Sequence, residues 1–173
     1  MIDRNIISSV EEIEYVAIRV VAPGEYFSAH RILNEDYLKR LNAAVEIAPL
    51  HLKPTLEELK EISRLLPQAK VAGISDSAYH TTLPDVAKYY ALPKEIMESS
   101  GVRRYGYHGL SVESAVGKLK NMHGGLRPRV IVCHLGSGAS VTALKNGESV
   151  DTSMGFTPLE GVPMGSRSGS IDA

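Results

Sequence analysis

Residues 129–172, RVIVCHLGSGASVTALKNGESVDTSMGFTPLEGVPMGSRSGSID, constrain the chain most, because they join an apolar run, a glycine loop, a hairpin signal and a glycine-flanked arginine. The run 130–133 is nearly all apolar, as in a strand covered on both faces, and stops at His134, where Leu135-Gly136-Ser137-Gly138 begins. An extended pattern resumes over 141–144, Asn146-Gly147 supplies a two-residue hairpin turn, and 149–152 return as its second strand. A hydroxyl and successive backbone donors between two strands suit a phosphate cradle. A tight structural turn would use the same residues, and this segment alone leaves both readings open.

The rest of the chain alternates strand and helix signals. Residues 15–21 read as a strand, and Asn34 caps a helix that places Tyr37, Leu38, Leu41 and Val45 on one face. Thr55 and Glu58 read as a capping box opening a helix that buries Leu59, Ile62, Leu65 and Leu66 and ends before Pro67. A second strand is expected over 71–75, two short helices broken at Pro93 over 84–100, and a helix over 111–122. His-Gly-Gly-Leu-Arg-Pro at 123–128 interrupts both periodicities and marks a domain boundary. Such alternation argues for α/β architecture, with helices packed on mixed sheet.

Composition narrows the function classes. Nineteen basic and 20 acidic residues nearly cancel, so no chain-wide basic field points to nucleic acid or an anionic membrane, and any anion site is local. A single cysteine, Cys133, excludes an intrachain disulfide, and its apolar surroundings suggest a buried thiol. No apolar run approaches the ~20 residues of a membrane helix, and the start lacks a signal pattern, so a cytoplasmic location is expected. His30, His80 and His123 have no metal-site spacing and read as surface or loop histidines.

Several motifs together resemble acetate kinase and its close relatives, the ATP-dependent carboxylate kinases of the actin and sugar-kinase superfamily. The resemblance is carried by the 134–140 loop, by Asp151-Thr152-Ser153-Met154-Gly155-Phe156-Thr157-Pro158-Leu159-Glu160-Gly161, and by Met164-Gly165-Ser166-Arg167-Ser168-Gly169. Upstream, Ala48-Pro49-Leu50-His51, Asp76-Ser77-Ala78-Tyr79-His80 and Arg103-Arg104-Tyr105-Gly106-Tyr107-His108-Gly109 fall in the family order. The resemblance implies a ribonuclease H-like α/β fold, incomplete at both ends. Residues 1–126 would be the latter part of a first such domain, and 127–173 the opening strands and phosphate loop of a second.

The implied reaction is transfer of the ATP γ-phosphoryl group to a short-chain carboxylate with Mg2+, giving an acyl phosphate and ADP. A transferring phosphoryl group spreads negative charge over its oxygens, so positioning and electrostatics dominate. Arginine, planar and permanently charged, serves both needs. By resemblance Asp76, His108 and Arg167 are catalytic, while Arg19 and His51 bind substrate. His134, Leu135, Gly136, Ser137 and Gly138 bind nucleotide phosphate, and no metal ligand is assigned. The bland alternatives are a surface ion pair for Arg19, an Asx-turn for Asp76, a loop histidine at His108 and a mobile loop around Arg167. Two departures from the family pattern stand out: Ala22-Pro23-Gly24 where relatives carry His-Gly-Gly, and Ser170 where they carry aspartate. Expected partners are a short-chain carboxylate and ATP, with a homodimer or a complementing chain covering open strand edges. The alternative function is a non-catalytic remnant or subunit that keeps a phosphate-binding or protein-interaction surface.

Overall fold

The computed structural model describes residues 6–172, which fall into two compact units. One comprises the chain up to Ala22 together with His30–Ile74, and the other Pro23–Ala29 with the residues from Ser75 onward.

In the first unit, β1 (Tyr15–Val20) alternates, turning Ile18 and Val20 inward and Arg19 outward. It lies beside β3 (Lys70–Ser75), which pairs antiparallel with the short β2 (Arg31–Ile32) in a sheet ordered β1-β3-β2. Helix α1 (Glu35–Ala43) begins where expected: Asn34 Oδ1 accepts from the Tyr37 amide at 2.8 Å, and Tyr37 and Leu41 are buried. Gly73 lets β3 pass close to Tyr37, whose hydroxyl leaves no room for a Cβ there. The second helix differs from expectation. Helix α2 runs Pro49–Leu65, straight through Pro54, so the Thr55/Glu58 capping box does not form. Thr55 instead bonds back to the His51 carbonyl at 2.9 Å, and the buried face is Leu52, Thr55 and Leu59 while Leu65 is exposed. Pro49 in the first turn offers a helix start that is free of an amide, and it takes precedence over the later signal.

The second unit recruits residues 23–29 through Ser75 Oγ, which donates to the Phe27 carbonyl at 2.5 Å, and through the Arg103–Glu25 ion pair. Helices α3 (Asp85–Lys88) and α4 (Lys94–Ser100) are separated at Pro93, as the sequence suggests. Helix α5 (Gly109–His123) packs on an antiparallel sheet of β4 (Arg129–Leu135), β5 (Ala139–Lys145) and β6 (Glu148–Thr152). The Asn146-Gly147 turn has positive φ at both residues (53° and 89°), which matches the twist of a two-residue hairpin. Val150 is an extra residue in β6, since Leu144 faces Ser149 and Ala143 faces Asp151. The expected division at 126/127 lies inside this unit, between α5 and β4.

Strand β4 is not covered on both faces. Val130 and Val132 pack with Val112, Val116 and Leu144, whereas Ile131, Cys133 and Leu135 are exposed. The Cys133 thiol is therefore exposed rather than buried. Among the described residues the apolar layer on this strand comes from α5 with Tyr79 and Leu126, and alternate side chains point away from it. Among the described residues no helix is long and apolar enough to cross a membrane.

Candidate functional site

The end of β3, the start of α5 and the β4–β5 turn bring seven of the expected residues, Asp76, His108 and residues 134–138, together within the second unit. Asp76 follows β3 and is 1% exposed; its Oδ2 accepts the His108 amide at 2.7 Å. His108 caps α5 in a left-handed conformation (φ 61°, ψ 19°), which is uncommon for a residue other than glycine. Gly109 follows because its amide donates to the Asp76 carbonyl at 2.8 Å, and a Cβ there would stand 2.5 Å from that oxygen. The His108 ring stacks on His134, with centroids 3.9 Å apart and planes 20° apart. Each ring is oriented by a serine that the sequence reading missed: His108 Nδ1 lies 3.0 Å from Ser140 Oγ, and His134 Nδ1 lies 2.8 Å from Ser111 Oγ.

The fourth expected side chain, Arg167, arrives from the last loop. A Cβ built on Gly138 would lie 2.9 Å from Arg167 Nη2 and 3.3 Å from His108 Nε2, so both groups converge on that glycine. Arg167 Nη1 donates to the Pro158 carbonyl at 2.9 Å, which anchors the guanidinium. The loop before it is fastened in turn. Glu160 accepts from the Tyr90 hydroxyl, pairs with Arg104 at 2.5 Å, and leaves room at Gly155 for no side chain. Burial and the neighbouring carboxylate push the Tyr90 hydroxyl far above the usual phenol range.

The Leu135-to-Gly138 loop is also a tight turn. Leu135 pairs with Ala139, and the Gly136 amide donates to the Gly138 carbonyl at 3.0 Å. The Gly136 donor is thus committed inside the turn. The Ser137 carbonyl accepts from the Gly165 amide at 3.2 Å, tying this turn to the arginine loop.

His80 is 2% exposed, contrary to its reading as a surface or loop histidine, and its ring nitrogens lie 2.9 Å from Ser149 Oγ and from the Tyr107 carbonyl. Burial pushes its pKa down. Nothing local in the sequence announces this, because Ser149 and Tyr107 are distant along the chain. Arg19 and His51 belong to the first unit, Arg19 exposed on β1 and His51 half-buried in the first turn of α2. His30 and His123 are exposed. Among the described residues no three His, Cys, Asp or Glu side chains are grouped to hold a metal ion.

The model of the acetokinase family matches residues 1–173. This chain belongs to the acetokinase family. It is 42% identical to an acetate kinase of Caldanaerobacter subterraneus subsp. tengcongensis over 99% of its own length and 44% of that relative's. An acetate kinase of Brachyspira hyodysenteriae is 44% identical, with 96% and 42% covered. The solved structure of a propionate kinase from Francisella tularensis superposes with a TM-score of 0.88 at 37% identity, covering 99% of this chain and 44% of that one. The Porphyromonas gingivalis acetate kinase structure gives 0.82 at 38% identity, with 96% and 42% covered. The family fold, an α/β architecture of the actin and sugar-kinase type, is therefore this chain's fold, and the chain spans under half the length of these relatives.

Proposed function

We propose that the chain carries the acyl- and phosphate-handling part of an acetate kinase-type ATP:carboxylate phosphotransferase, which forms an acyl phosphate and ADP from a short-chain carboxylate and ATP in the cytoplasm. One observation carries the reading: His108 Nε2 and Arg167 Nη2 converge on Gly138, with His134 stacked behind His108. A guanidinium and an imidazole beside a glycine with no side chain, with a second imidazole stacked behind the first, match the spread charge of a phosphoryl group in transfer. Arg167 and His108 stabilise that charge, and Asp76 acts by holding the His108 backbone. His134 and the amides of Ser137 and Gly138 receive nucleotide phosphate, while Leu135 and Gly136 shape the turn. Arg19 and His51 take the carboxylate and its acyl chain.

Magnesium would neutralise charge on the ATP phosphates, but the described residues do not by themselves make its site, and no step here is assigned to it. Residues 1–126 stand in this proposal for the latter part of a first ribonuclease H-like domain and 127–173 for the opening of a second. The exposed Ile131 and Leu135 on edge strand β4 favour a homodimer or a complementing chain.

The isolated chain is expected to be impaired in turnover. A second reading, phosphate binding without transfer, would rest on Arg167 Nη2 and the His108 and His134 rings, because the Gly136 amide and Arg167 Nη1 are already committed within the chain. Phosphate-induced shifts at His108, His134 and Arg167 support either reading, and their absence refutes both. Acyl phosphate trapped as hydroxamate then separates them.

A further inference from the structure

The peptide group between Tyr107 and His108 is held from both sides. Its N–H donates to Asp76 Oδ2 at 2.7 Å, and its carbonyl lies 2.9 Å from His80 Nε2. A carbonyl can only accept, so Nε2 carries the proton, and in a neutral ring Nδ1 must accept from Ser149 Oγ, 2.9 Å away. The His80 ring is also a floor for the preceding residue: a Cβ on Gly106 (φ +70°) would stand 2.7 Å from ring Cγ and Cδ2.

We propose that His80 is a positioning residue for the phosphate cluster, acting through the Tyr107–His108 peptide group. Turning this peptide would carry its N–H away from Asp76 and its carbonyl away from His80 together, so the two side chains lock one orientation of the plane. That orientation sets His108 in its left-handed conformation, and with it the stack on His134 and the approach of Nε2 to Gly138. Ser149, at the β6 bulge, keeps His80 in the required tautomer, so the β6 strand is coupled to the helix cap that bears His108. The inference rests on the proposed phosphate role of His108 and His134.

The test uses the full chain, isotope-labelled, with orthophosphate as the probe. The His108 HN–Hα coupling and Cα shift report its backbone conformation, and phosphate titration reports the cluster. His80→Leu removes both polar contacts, and His80→Gln keeps an N–H that can reach the Tyr107 carbonyl. His80→Leu is expected to lose the left-handed His108 signature and weaken orthophosphate binding about 10-fold, and His80→Gln to stay within about threefold of the parent. A merely structural role would lower stability in both variants without separating these readouts. His80→Leu with the His108 signature and phosphate affinity of the parent chain overturns the proposal. Should His80→Leu not fold, Ser149→Ala is read in the same way: a shifted His108 signature is expected, and an unchanged one overturns the proposal. A parent chain without phosphate shifts at the cluster refutes the functional reading, while the His108 signature still decides whether His80 holds the peptide.

Discussion

Replacing Gly109 by alanine should damage both stability and the candidate site, although alanine favours helix more than glycine does. A Cβ at 109 would lie 2.5 Å from the Asp76 carbonyl oxygen and 3.0 Å from Tyr79 Cβ. Relief to ordinary contact needs a displacement of roughly 0.8 Å, which stretches the 2.8 Å bond from the Gly109 amide to that carbonyl beyond useful length. The neighbouring bond from the His108 amide to Asp76 Oδ2 weakens with it. A neutral backbone bond contributes about 1 kcal/mol and one to a carboxylate about 1.5–3 kcal/mol, so loss of the first and about half of the second gives about 2–2.5 kcal/mol. Better helix propensity returns at most about 1 kcal/mol, for a net loss of about 1–2.5 kcal/mol. Gly117 is the internal control, because a Cβ there meets nothing within 4 Å and alanine should stabilise α5 by up to about 1 kcal/mol. Urea unfolding of the two variants and the parent measures both changes. A Gly109→Ala midpoint equal to the parent's, or a Gly117→Ala loss matching that of Gly109→Ala, would refute the close-approach argument.

Arg167→Ala should weaken orthophosphate binding by about 10-fold and flatten its salt dependence, whereas Arg127→Ala, at an exposed site between α5 and β4, should change little; equal effects in titration calorimetry would remove the arginine loop from the anion site. His80 is held neutral by burial, so the unfolded chain binds the extra proton below the ordinary histidine value of 6.5. Its contribution to stability is complete above that pH and declines as the pH falls toward the depressed folded value, by up to about 1.4 kcal/mol per unit. Urea midpoints compared between pH 7.5 and 5.5 should therefore fall more steeply for the parent than for His80→Gln, and parallel profiles would contradict it. On the proposed function, the isolated chain, which spans under half the length of its acetate kinase relatives, should form only trace acyl phosphate from ATP and acetate, propionate or butyrate, since positioning errors of about 1 Å can cost ~100-fold; a hydroxamate assay at ordinary kinase rates would defeat that expectation. Ile131→Lys should reduce any concentration-dependent association seen by light scattering, since Ile131 is 62% exposed on the edge strand of its sheet.

Local chemistry was enough to locate most elements. Asn34 as a cap, Pro93 between α3 and α4, and Asn146-Gly147 in the hairpin all act within a few residues, and the structure follows each of them. Where two local signals competed, as between Pro49 and Thr55, the pattern alone misplaced the start of α2. The motifs around Asp76, His108, His134 and Arg167 were visible too, because glycines and charged residues in fixed order carry a family resemblance without reference to packing.

What the sequence by itself determined is the inventory: most of the strands and helices, and the side chains proposed to meet a phosphate. Tertiary structure decided their partners. Whether β4 is covered on one face or two depends on how many layers reach it, and among the described residues α5 with Tyr79 and Leu126 covers one face, so Cys133 faces outward despite its apolar neighbours. The stacking of His108 on His134, the serines that orient them, and the burial of His80 between Ser149 and Tyr107 join residues from 23 to 69 positions apart. Hydrogen bonds over such separations leave no periodicity in the chain, because their geometry exists only after the helix cap, the turn and the β6 bulge have been brought together by folding.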